Sequence, residues 1–93
     1  MEKNYAGFVL ISDHALLVYF MDKAVAVDEF ECLHKCMENR KCKSLNVHFS
    51  GSNSEVICEV NNKTRQMTPD AFQRKQGSTY YGSVEASGIQ YNA

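Results

Sequence analysis

The sequence has no apolar run long enough for a membrane helix, no excess of charge of either sign, no internal repeat and no low-complexity tract. Its longest apolar stretch, residues 15–21, falls far short of the roughly 20 residues that a bilayer-spanning helix requires, so no membrane insertion is expected. Ten Lys and Arg against eleven Asp and Glu give a formal charge of −1. No global field therefore draws the chain to nucleic acid or to an anionic bilayer. The start, Met1-Glu2-Lys3-Asn4 with a polar break at Ser12-Asp13-His14, lacks the basic leader, continuous apolar core and small-residue cleavage site of a signal peptide. Either the protein is cytosolic or its signal sequence is absent from this chain, and the cysteines decide between the two.

What is present is enough for one small domain. Ninety-three residues, 44% hydrophobic, suit a single core, and a chain this short needs reinforcement from a cross-link or a metal. Residues 7–11 and 15–21 are rich in β-branched and aromatic side chains and read as two strands, with Ser12, Asp13 and His14 as the turn between them. Asp28 and Glu31 have the spacing of a capping box, which predicts a helix over residues 29–38. Projected at about 100° per residue, Phe30, Leu33 and Met37 share one side of that helix with Cys32 and Cys36. Glu31, His34, Lys35 and Glu38 take the other. Residues 44–49 alternate as a half-buried strand, with Leu45, Val47 and Phe49 inward and Ser44, Asn46 and His48 outward. Residues 50–54 form a loop, and residues 56–60 return as a strand that turns Cys58 toward the helix. A long polar connection containing Pro69, the one proline, fills residues 61–77, and residues 79–84 supply a closing strand. These elements predict an α+β fold, one helix packed on an antiparallel sheet of four to five strands. Residues 1–5 form an N-terminal tail and residues 85–93 a C-terminal tail or linker.

Four cysteines in the spacing C-x3-C-x5-C-x15-C allow three disulfide pairings. Cys32 and Cys36 stand one helical turn apart with roughly parallel Cβ vectors, a poor fit to disulfide geometry. Cys36 near the helix end and Cys42 just beyond it would close the helix-to-strand connection. That choice leaves Cys32 to meet Cys58, and on the chain-entropy model each bridge contributes about 2 to 4 kcal/mol.

The run Glu31-Cys32-Leu33-x2-Cys36, then Cys42-Lys43-Ser44-Leu45-Asn46, then Cys58-Glu59-Val60-Asn61 and a late Tyr80-Tyr81 resembles the PAN/apple domain family over residues 6–84. No cysteine lies outside residues 32–58, so the chain resembles the four-cysteine PAN form and lacks the further disulfide by which apple domains join their termini. Leu45 and Val60 stand where the family more often has an aromatic residue and a leucine. The resemblance implies a helix across a curved antiparallel sheet, with Cys32–Cys58 and Cys36–Cys42 tying it to the central hairpin. It also implies a non-catalytic, extracellular module that binds a protein or glycan, as one domain of a larger secreted or cell-surface protein. It implies no cofactor, and no binding residue of the family transfers to this chain.

Rival chemistries are weaker. The cysteines with His34 or His48 could form a zinc site, and an intracellular zinc-stabilised interaction domain is the main alternative. Zinc spheres, however, usually need two close ligand pairs, and Cys42 and Cys58 stand singly. A structural matrix module without a ligand of its own is a second alternative. A Cys–His nucleophile pair fails because His34 projects from the helix face opposite the cysteines, so no catalytic and no metal residues are expected. His14, in the predicted turn, reads as a surface residue, as do the other two histidines. Asn62-Lys63-Thr64 is an N-glycosylation sequon in the polar connection. Eight of the ten cations fall between Lys35 and Lys75. Arg40, Lys41 and Lys43 cluster after the helix, while Lys63, Arg65, Arg74 and Lys75 line the connection. The former three are candidates for an anionic partner, an acidic protein face or a sulfated glycan, with Tyr80, Tyr81 or Tyr91 available to stack on a sugar.

Overall fold

The computed structural model describes residues 2–5, 7–49 and 54–83, the first four as backbone. The C-terminal tail expected over residues 85–93, with Tyr91, lies outside the described residues. In chain order the elements are β1 (Glu2–Tyr5), β2 (Phe8–Leu16), β3 (Phe20–Ala26), α1 (Glu29–Glu38), β4 (Ser44–Phe49), β5 (Val56–Asn61), a short 3₁₀ turn (Pro69–Ala71) and β6 (Phe72–Ser83). They form one antiparallel sheet in the order β1-β2-β6-β4-β5-β3, with α1 packed on β4, β5 and β3. Strands β2 to β6 make the expected α+β core. The segment expected as an N-terminal tail adds β1 as a sixth strand at one edge, paired to residues 8–11. No helix among the described residues is long and apolar enough to cross a membrane.

Helix α1 starts where the capping box places it. The Asp28 carboxylate accepts a bond from the Glu31 N–H at 3.0 Å, and Glu31 reaches back to accept from the Val27 N–H at 2.9 Å. The buried stripe is narrower than the hydrophobic projection suggests. Cys32, Leu33 and Cys36 are buried, whereas Phe30 and Met37 are 53% and 62% exposed. The helix is anchored through its two cysteines, which centres its contact line on them and rotates the two larger side chains to the flank.

Period-two alternation places side chains on two faces of the sheet. Phe8, Leu45, Val47, Val56, Cys58, Val60 and Tyr81 form the core under the helix with Leu33. Val9, Ile11, Leu16 and Tyr80 form a second, smaller core on the opposite face, with Tyr19, Ala71 and Phe72 packed against it. Strand β4 is therefore buried on both faces over residues 44–47 instead of half-buried, and its end residue Phe49 is 55% exposed.

Two further expectations change for one reason. Residues 8–16 are a single strand, and the connection after β5 ends at residue 71 because β6 already begins at Phe72. The polar Ser12-Asp13-His14 is a bulge within a long β2–β6 pair: Ser12 faces Thr79 but His14 faces Arg74, so β6 carries three extra residues there. Asp13 enters the left-handed region (φ 57°), Gly77 sits at φ 85°, and the Asp13 carboxylate accepts the Gly77 N–H across the gap at 3.2 Å. Asp and Gly tolerate that backbone, so a turn-like composition here bends a strand instead of ending it. The chain reverses later, at residues 17–19, and the second predicted strand gives way to β3 at Phe20.

Candidate functional site

The cysteines resolve into Cys32–Cys58 and Cys36–Cys42, with Cα atoms 5.5 and 5.3 Å apart. The first ties the middle of α1 to the centre of β5, and the second closes the loop between α1 and β4. No thiolate remains for zinc or for nucleophilic attack.

The closed loop carries the predicted cations. Asn39 caps the helix by donating its N–H to the Cys36 carbonyl at 3.1 Å. Its side-chain oxygen accepts from the Lys41 N–H, and its carbonyl from the Cys42 N–H, both at 2.9 Å. Lys43 then donates its N–H to the Asn61 carbonyl at 2.9 Å, starting the β4–β5 ladder. The backbone of residues 39–43 is thus bonded at nearly every step, and Arg40, Lys41 and Lys43 are all exposed on it. Arg40 and Lys41 line a shallow cleft of about 500 Å³ with Lys35, together with the carboxylates Asp22 and Glu38, while Lys43 lies outside it. The sequence places the cations together; only the fold adds Asp22, from β3, to their surroundings. Lys63 and Arg65 follow β5, whereas Arg74 and Lys75 lie on the β6 bulge instead of in a connection.

The outward face of β4, bearing Asn46 and His48, is not a surface. Asn46 is fully buried: its side-chain oxygen accepts from the Leu16 N–H at 2.9 Å, and its amide nitrogen donates to the Leu16 carbonyl at 2.7 Å and to Glu59 at 3.1 Å. Ser44, also buried, donates to the Lys63 carbonyl at 2.6 Å and accepts from the Asn61 amide at 3.0 Å. His48 is the correction among the histidines, since its side chain is only 13% exposed. Its Nδ1 contacts the Ser78 hydroxyl, and its Nε2 lies 2.8 Å from a Glu59 oxygen, an ion-pair distance without the alignment of a hydrogen bond. His34, by contrast, sits on the open surface beside Glu38 at 3.5 Å. His14 lies in β2 and stacks on Phe72 with ring centroids 5.0 Å apart.

Ser78, His48 and Glu59 therefore stand in the order hydroxyl, imidazole, carboxylate, a constellation that sequence reading missed because the three come from β6, β4 and β5. They act as a strand clamp: Ser78 is only 3% exposed, leaving its hydroxyl no approach for a substrate. Burial raises the cost of the Glu59 charge, but the adjoining His48 imidazole, the Asn46 amide that donates to it and the Lys23 ammonium outweigh that cost and hold the carboxyl below the usual glutamate range. Burial pushes the Tyr80 hydroxyl up from its usual value, although it accepts the Arg65 N–H at 2.9 Å. Tyr80 and Tyr81 are both buried, so neither can stack on a ligand. Asn62 is exposed, and Thr64 of its sequon is buried.

No curated protein and no solved structure matches the chain. A family model described as PAN domain matches residues 7–83. PAN domains are modules of extracellular proteins that bind proteins or carbohydrates and are generally non-catalytic. The helix stapled to the central hairpin of an antiparallel sheet is the arrangement that the resemblance implied, and with a match over most of its length the chain belongs to the PAN domain family.

Proposed function

We propose that this domain is a non-catalytic binding module of a secreted or cell-surface protein, and that it recognises an anionic partner, an acidic protein face or a sulfated glycan, through Arg40, Lys41 and Lys43. The observation that carries the reading is the prefixed loop. Its cations project from a backbone already held by Cys36–Cys42 and by the two turns around Asn39, so binding orders only side chains and the entropic cost is low. Converging cations attract a polyanion, while Asp22 and Glu38 beside them temper the field and restrict docking to the exposed rim. Attraction of this kind weakens as salt shortens the screening length, about 8 Å at physiological strength and about 3 Å at 1 M. On a heparin column at low salt the domain is expected to be retained, with the Arg40→Ala/Lys41→Ala variant eluting earlier. Equal elution of the two proteins sinks the assignment. Two disulfides suit an oxidising compartment, where such bridges persist.

Asn62, exposed after β5, is the proposed glycan attachment point in that compartment. Secretion from eukaryotic cells should give a species whose mobility increases on Asn62→Gln; unchanged mobility means the sequon is unused.

A further inference from the structure

A cleft of about 510 Å³ opens between the turn after β2 and the segment that leads into β6, sharing no lining residue with the cationic loop. Val18, Tyr19, Met67, Pro69 and Ala71 give it apolar walls, and Asp70 is the charged group among its lining residues. Val18 is the unusual member. It holds φ 68°, a left-handed conformation that is a genuine outlier for a β-branched residue, and its side chain is 80% exposed. Its neighbours impose the conformation. The Asn46 amide grips both backbone groups of Leu16, the Leu17 N–H donates to the Ala71 carbonyl at 2.9 Å, and the Asn62 N–H donates to the Tyr19 carbonyl at 3.2 Å. Glycine or asparagine would satisfy such a turn at lower cost. The isopropyl group neither relieves the backbone nor fills the core, so packing within the domain does not account for a valine at this exposed position.

We propose that this cleft docks a segment of a partner protein that presents an apolar side chain beside a lysine or arginine. The apolar walls take the first, with Met67, 50% exposed, as the opposite rim. The second is set by charge: the Asp70 carboxylate is exposed and makes no ion pair among the described residues. The Val18 N–H and carbonyl, which take no hydrogen bond among the described residues, are available to the partner's backbone. The cleft thus selects a partner opposite in charge to one that suits Arg40 and Lys41.

The experiment pans a random peptide display library on the disulfide-bonded chain and measures the affinity of the synthetic consensus peptide by fluorescence anisotropy. The expected consensus pairs an apolar residue with a neighbouring Lys or Arg. Its Kd should rise at least tenfold with Val18→Asn, whose Tm stays level or rises because asparagine tolerates the left-handed backbone. Met67→Gln should weaken it likewise, and Asp70→Asn should weaken it and flatten its salt dependence. The proposal is overturned if no peptide binds above background, or if the consensus is acidic and loses binding with Arg40→Ala/Lys41→Ala. It is equally overturned if the affinity of Val18→Asn equals that of the wild type, whatever happens to its Tm.

Discussion

Asn46 explains why a polar residue lies at the centre of the sheet. Its side-chain amide pairs with the N–H and carbonyl of Leu16 as a neighbouring strand would, and so fastens the end of β2 over β4. Ser44 does the same for the Lys63 carbonyl two positions earlier. The Cys42-x-Ser44-x-Asn46 pattern that carried the family resemblance is therefore a set of fasteners: a disulfide and two polar side chains, the latter buried away from any ligand. Removing the Asn46 amide orphans two buried backbone groups, at about 1–3 kcal/mol each. Asn46→Ala should thus lower stability by on the order of 3 kcal/mol, read as a fall in the urea midpoint at unchanged slope. A loss smaller than about 1 kcal/mol would mean that solvent or a local shift satisfies Leu16. Gly82 is constrained by the same packing, because a Cβ there would lie 2.9 Å from the buried Tyr80 ring.

At the scale of elements, the two disulfides have different tasks. Cys32–Cys58 spans 26 residues of sequence and joins α1 to the sheet, whereas Cys36–Cys42 spans six and shapes a loop. Loop-closure entropy assigns about 3.5 kcal/mol to the longer bridge and about 2 kcal/mol to the shorter. Replacing both cysteines of each pair by alanine should therefore destabilise the domain more for 32/58 than for 36/42 in denaturant titrations. The 36/42 variant should stay folded but lose affinity for heparin, since it loosens the backbone that presents Arg40 and Lys41. Equal losses of stability would point to strain in one bridge. The capping box, the alternating hairpin and the order of elements were legible because each is a local pattern. The β2–β6 bulge was not, because a Ser-Asp-His triplet reads as a turn until Gly77, sixty-four residues away, supplies its partner.

For the whole molecule, the carboxylate of Glu59 on β5 sits largely sheltered among polar neighbours. Glu59 lies between His48 at 2.8 Å and Lys23 at 3.9 Å, with its pKa lowered in the folded state. A lowered carboxylate pKa stabilises the fold fully above the unfolded value, about 4.3, and that contribution disappears as pH falls through the folded value. The Tm should therefore drop below about pH 4.3, and the drop should be shallower in Glu59→Gln, which has no charge to lose. Parallel acid limbs for the two proteins would remove Glu59 from the account of acid sensitivity.

By itself the sequence determined the domain's class, its helix, its hairpin and its bridging cysteines, because hydrophobic period, capping and cysteine spacing act over a few residues. Tertiary structure decided which polar residues face water. Asn46, His48 and Tyr80 belong to types that serve equally well at a surface; Asn46 and Tyr80 are buried and His48 is largely covered because the end of β2, the segment after β5 and the neighbouring β6 close around that face of the sheet. It decided in the same way that Val18, in the middle of the longest apolar run, is exposed. The strands on either side are held by partners far along the chain, so the reversal between them falls on whichever residue the register leaves there.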